Sequence, residues 1–285
     1  MFPFRSVSVG AIALSFLASA CAGRELDFHY PSAPLLAWVP VVPDVSQPDD
    51  ALLARVPVCC VHGDGGSSRE CSTIIDRMVR DGWPRESLLA EDLPDRGRGS
   101  NIANARHVAA WVKRLRTRTG AAKIDIVAHS MGGLSARYFI EFLDGADVVR
   151  TYVSLGTMHQ GLVAPCRAPV KTAAWKELCT DEEFLRDLAS RAPSETSPVA
   201  WTSISGSADR VTPVESAILP GATFMIVHGV EHAGRRGLLE HPSAYEATRA
   251  ALLHRARSAT TIAPATSRLG AYRNVLGAGR NARAA

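Results

Sequence analysis

The sequence contains no Cys-x-x-Cys pair and no histidine cluster at metal-ligand spacing, so a cysteine-built metal centre has no framework here. It lacks any apolar run long enough to span a bilayer comfortably; Val7–Leu17 is too short. Internal repeats are absent. Acids are missing after Leu253, whereas six of the 32 Lys and Arg residues fall there (Arg255, Arg257, Arg268, Arg273, Arg280 and Arg283). The net charge of +4 therefore belongs to the C-terminal tail, and the rest of the chain is slightly acidic. That Ala-, Gly-, Ser- and Thr-rich tail, residues 255–285, is expected to end a helix and fray rather than to bind nucleic acid or a membrane surface.

What is present is ample material for a core. With 285 residues, 46% of them hydrophobic, and a mean hydropathy near zero, the chain can build one globular domain with tails. Residues 1–20 read as an export signal: Arg5, the apolar run, then Ala18-Ser19-Ala20 ahead of Cys21. Two outcomes stay open, cleavage and release, or acylation of Cys21 and membrane anchoring as a cell-envelope lipoprotein. Either takes the chain out of the cytoplasm. There the five remaining cysteines should pair rather than bind metal. Cys166 with Cys179 would close a short loop, and Cys71 could take either Cys59 or Cys60.

Residues 21–55 carry recurrent prolines (Pro31, Pro34, Pro40, Pro43, Pro48) and predict an extended lead-in with an edge strand near Leu35–Val42. From 56 to 254 strand and helix patterns alternate. Strands are expected at Val56–Val61, Leu88–Leu93, Ile124–Ala128, Arg150–Leu155, Trp201–Ser205 and Thr223–His228. Helices are expected at Ser72–Asp81, from Ser100 or Asn101 to a stop at Gly120, at Met131–Leu143 and at Ser243–Leu253. Such alternation predicts an α/β fold, a mostly parallel sheet with helices on both faces. A polar, cysteine-bearing insertion, Thr157–Pro198, interrupts it.

The stretch Ala128-His129-Ser130-Met131-Gly132 marks a strand that turns sharply into a helix. Small residues two before and two after Ser130 let the chain turn without collision and lift the hydroxyl clear, with the helix N-terminus aimed at any negative charge forming there. A hydroxyl needs a base, and the base an orienting acid, here expected in the order serine, acid, histidine. Asp209, after a strand and among turn residues, is the candidate acid; Asp181 and Asp187 in the insertion are weaker. His232 lies in a loop beyond the last strand and is the candidate base, while His228 reads as a packed strand residue and His241 as a lead into the last helix. Backbone donors for an oxyanion are expected from Met131 and from Asp64, the latter in the glycine-rich loop His62–Ser68.

These segments, together with Leu155-Gly156-Thr157, His159 and Gly161, resemble the secreted bacterial class 2 lipases of the α/β-hydrolase superfamily through most of Val58–Leu239. The resemblance implies a compact α/β-hydrolase, Ser130 as nucleophile, Asp209 as acid, His232 as base, the N–H groups of Asp64 and Met131 as oxyanion donors, and a Cys166–Cys179 disulfide. Two departures stand out: Asp64 occupies a position that is often apolar, so its side chain is expected to turn away, and Met158 replaces a usual proline. The expected activity is hydrolysis of lipid or other acyl esters by a monomer that requires no cofactor and no metal. The same three residues could serve an acyltransferase or an amide or thioester hydrolase. A binding lipoprotein on a hydrolase scaffold is the alternative from another class.

Overall fold

The computed structural model describes residues 56–167, 172–194 and 196–253. The export signal, Cys21, the lead-in and the basic tail lie outside the described residues. Six strands, β1 (Val58–Val61), β2 (Leu88–Ala90), β3 (Ile124–His129), β4 (Val149–Leu155), β5 (Ala200–Gly206) and β6 (Thr223–Val227), form one sheet in the order β2-β1-β3-β4-β5-β6. All five pairings are parallel. The chain steps outward from β1 to β2, then returns to the other side of β1 as β3. This reversal leaves the loops after β1 and β3 side by side at the carboxyl edge, where ligands bind in such sheets.

Alternation along each strand sorts side chains between two helical layers. Cys59, Val61, Ile124, Ile126 and Ala128 face α2 (Asn101–Thr119) and α3 (Met131–Phe142), meeting Val108, Val112, Leu115, Phe139 and Ile140. Val58, Cys60, Val127 and Val153 face α1 (Ser72–Arg80) and the last helix, α8 (Pro242–Leu253), with Ile74, Met78, Tyr245 and Leu252. The alternation also settles the cysteines. Cys60 points to the α1 side, where Cys71 lies, and the two are bonded, whereas Cys59 is a buried free thiol facing the other way. Burial pushes the Cys59 thiol up to about 12. Cys166 and Cys179 form the second disulfide.

The long helix α2 begins where Ser100 caps it, its hydroxyl accepting from the Ile102 N–H at 3.2 Å, and stops at Gly120 in a left-handed conformation (φ 70°). Three expectations need correction. The second strand ends at Ala90 instead of Leu93, because the Leu93 N–H donates to the His62 ring (2.9 Å) and Asp92 accepts the Ser68 N–H (2.6 Å), drawing this segment onto the loop after β1. His228 is not a packed strand residue: β6 stops at Val227 and His228 is exposed in a turn. The insertion is not merely polar. It carries the helices α4 (Ala164–Arg167), α5 (Ala173–Lys176) and α6 (Glu183–Ser190), and buries Met158, Ala174, Leu178, Phe184, Leu185 and Leu188 against Met131 and Leu134. A short helix α7 (Val214–Ala217) follows β5.

Asp125, fully buried in β3, pairs with Arg150 of β4, whose guanidinium also donates to the Leu252 carbonyl of α8 at 2.9 Å. Burial raises the Asp125 carboxyl above its ordinary range, and the hydrogen bonds from Arg150 counter it only in part. Breaking a buried pair from one side strands the other charge. Arg150→Met is therefore expected to lower unfolding free energy by about 3–5 kcal/mol in urea titration, and Asp125→Asn added to it should recover part of the loss.

Candidate active site

Three loops at the carboxyl edge of the sheet supply the site. Ser130, directly after β3, has φ 53° and ψ −130°, a conformation non-glycine residues rarely adopt. The surroundings hold it there: the Ser130 N–H donates to the Leu155 carbonyl (2.9 Å), and the Ser130 carbonyl accepts from the Thr157 hydroxyl (2.9 Å) and the Gly133 N–H (3.0 Å). Close packing does the rest. A Cβ at Gly132 would strike the His62 carbonyl, and one at Gly63 would come within 2.8 Å of the Ser130 Cβ.

The structure brings Ser130, His232 and Asp209 together. His232 Nε2 lies 2.9 Å from Ser130 Oγ, and His232 Nδ1 lies 2.7 Å from Asp209 Oδ2. Asp209 Oδ1 accepts from the Val211 and Thr212 N–H groups, both at 2.8 Å. One carboxylate oxygen thus organises its own turn and the other faces the histidine. Burial alone would raise the Asp209 carboxyl, but the His232 ring and the N–H groups of Thr212 and Val211 outweigh it and leave the carboxyl below its ordinary value. An alcohol bonded to an imidazole that a carboxylate orients is the arrangement that activates a hydroxyl as a nucleophile. Asp181 is exposed in the insertion, His228 is exposed beyond β6, and His241 precedes α8 and accepts the Ser243 N–H; none of these, nor Asp187 of α6, bonds to Ser130, His232 or Asp209.

The loop His62–Ser68 runs against Ser130, and the N–H groups of Asp64 and Met131 find no acceptor among the described residues. The loop is fastened from behind: the Gly65 N–H donates to the Arg96 carbonyl (2.8 Å), which a turn with Asp95 and Arg96 both at positive φ presents. Two acids flank it. The Asp64 carboxylate accepts from the Trp175 indole (2.9 Å) and lies 3.7 Å from Arg98. Burial raises the Glu70 carboxyl, with His62, Arg96 and His232 pulling the other way. Among the described residues the one grouping of possible metal ligands is Cys166, Cys179 and Asp181, and its thiols are joined in the disulfide.

Several supporting residues have no role assigned from the sequence: Thr157, Thr212, Trp175 and His129. The Asp209-x-x-Thr212 spacing carried a usable signal, since it is a common side-chain-to-backbone turn. His129 is buried, its Nε2 lies 2.9 Å from the His232 carbonyl, and its ring sits 4.8 Å from that of His232. Because a carbonyl only accepts, Nε2 carries the proton and donates.

A sequence model of the family described as Lipase (class 2) matches residues 55–249. Two relatives, triacylglycerol lipases of Pseudarthrobacter phenanthrenivorans and Burkholderia plantarii, are each 27% identical over 126 residues, which is 40% of this chain and 36% and 32% of theirs. The chain thus matches about a third of the length of these relatives. Among solved structures, the mature form of the Bacillus licheniformis lipase BlEst2 aligns with a TM-score of 0.57 at 18% identity, covering 74% of this chain and 96% of that one. Aspergillus fumigatus lipase B gives 0.57 at 18%, covering 74% and 55%. At that identity the likeness shows the α/β-hydrolase fold.

Burial, and next the neighbouring His232, lower the His129 pKa to about 3. The unfolded chain binds a proton at an ordinary histidine pKa of about 6.5, so this site weakens folding as pH falls from about 6.5 and ceases to add to the loss below about 3. In urea titrations across that window, His129→Gln is expected to lose less stability per pH unit than the wild type. Equal slopes would contradict a neutral His129.

Proposed function

The chain belongs to the class 2 lipase family, and from that premise we propose that it is a serine carboxylic ester hydrolase, triacylglycerol-lipase-like, acting on lipid or other acyl esters through an acyl-enzyme. The observation that carries the reading is the unbroken Asp209–His232–Ser130 chain, with contacts of 2.7 and 2.9 Å.

In this reading Ser130 Oγ attacks the ester carbonyl while His232 Nε2 takes its proton. The tetrahedral oxyanion is met by the N–H groups of Asp64 and Met131, the latter also offering the positive end of the α3 dipole. His232 returns the proton to the departing alcohol, leaving the acyl group on Ser130. Water, deprotonated by His232, then attacks the acyl-enzyme and releases the acid. Asp209 keeps the imidazole in the tautomer that accepts at Nε2 and stabilises the imidazolium. The same acyl-enzyme could pass its acyl group to another acceptor. A binding lipoprotein on this scaffold would have no use for a strained Ser130 within hydrogen-bond reach of an oriented histidine. The N-terminal pattern of residues 1–21 supports a place outside the cytoplasm, released or anchored through Cys21.

Purified wild-type protein is expected to hydrolyse nitrophenyl esters, and Ser130→Ala to fall to background. Asp209→Asn should drop kcat by about 10⁴-fold, because the imidazole loses its orienting acceptor. Equal rates for wild type and Ser130→Ala would sink the proposal.

A further inference from the structure

We infer that Trp175, in the disulfide-closed insertion, is a positioning residue for the oxyanion site: its indole N–H holds the Asp64 carboxylate aside so that the Asp64 N–H can face the reacting carbonyl. The inference rests on the ester-hydrolase reading above and adds a residue to it.

The need arises from Asp64 itself. A carboxylate on the residue whose N–H must meet a developing oxyanion would repel that oxyanion if it swung inward. The Trp175 indole donates to Asp64 Oδ2 at 2.9 Å. Asp64 Oδ1 is buried and accepts no hydrogen bond, and its charge partner Arg98 stands 3.7 Å off with half of its side chain exposed. A half-exposed guanidinium 3.7 Å away, making no hydrogen bond to the carboxylate, does little to fix its orientation. The indole is therefore the one hydrogen-bond donor on this carboxylate among the described residues.

Trp175 is itself well held. It lies in α5, where Thr172 caps its N–H at 3.3 Å, and the neighbouring Ala174 N–H donates to the Arg98 carbonyl at 3.4 Å. Two residues on, the Glu177 carboxylate accepts from the Ser100 hydroxyl and the Asn101 N–H (both 2.7 Å) and the Asn101 side chain (2.9 Å). Asn101 Nδ2 also lies 3.6 Å from Met131 Sδ, and Ala174 and Leu178 pack in one cluster with Met131. The insertion thus touches both residues assigned to the oxyanion, Asp64 by a hydrogen bond and Met131 by packing. Were Trp175 only a packing residue, phenylalanine would serve as well.

Trp175→Phe keeps an aromatic ring, though a smaller one, and removes the donor. It is expected to lower kcat about 10-fold with KM unchanged, a part of the roughly 10²–10³-fold that loss of an oxyanion donor costs. In an Asp64→Leu background, which has no carboxylate to hold, the same substitution should have no further effect. Amide hydrogen exchange at residues 63–66 gives a readout that needs no substrate, and it should quicken in Trp175→Phe. An unchanged kcat, an equal loss in both backgrounds, or unchanged exchange would each overturn the inference. Wild-type protein inactive on every ester would defeat the hydrolase reading separately, and the tether would then stand or fall on the exchange rates.

Discussion

Ser130 sits in a backbone state that costs of order 1–3 kcal/mol and persists only where its surroundings over-determine it. Here β4, Thr157, the first turn of α3 and the loop after β1 all converge on that one residue. The reversal of strand order between β1 and β3 makes this convergence possible, because it pairs β1 directly with β3 and so sets His62–Ser68 and Ser130 next to each other. The same elbow turns the hydroxyl toward His232, which arrives from beyond β6 with Asp209 from beyond β5. Fold and site are thus coupled through a single strained residue.

The electrostatics follow from what is buried and what is bonded. Asp209 stays below its ordinary pKa because three donors outweigh its burial. Asp125, also donor-rich, is raised because its burial is nearly complete. His129 is neutral for the same reason, and as a neutral donor it can hold the His232 carbonyl without placing a second cation beside the imidazole. Around the loop after β1, by contrast, charge is plentiful: Asp64, Glu70, Arg96 and Arg98 all crowd a stretch that the proposed mechanism uses to meet an oxyanion. In that mechanism the loop needs its carboxylates turned from the reacting carbonyl, and the insertion reaches one of them through the Trp175–Asp64 hydrogen bond.

Much of this was legible in the sequence. The order of strands and helices, the cap at Ser100, the stop at Gly120 and the elbow around Ser130 are local signals, written in spacing and in a few small residues. The partition between the two faces resolves Cys60 from Cys59 only once the helices are assigned to layers, which depends on long-range packing. Strand ends were harder. Leu93 looks like a continuation of β2, yet its N–H is taken by His62, 31 positions away. The insertion misled for a related reason: its apolar residues are spread over short helices, and only against Met131 and Leu134 do they form a core. Trp175 carried no local signal, since its partner Asp64 lies 111 residues earlier.

At the centre stands the claim that Ser130 is an activated nucleophile because His232 and Asp209 make it one. The most direct measurement is covalent labelling by a fluorophosphonate followed by peptide mapping, which assumes no natural substrate. One label per chain is expected, on Ser130, and it should be lost when His232 is replaced by alanine. A label elsewhere, or labelling of Ser130 that survives the loss of His232, would contradict the claim.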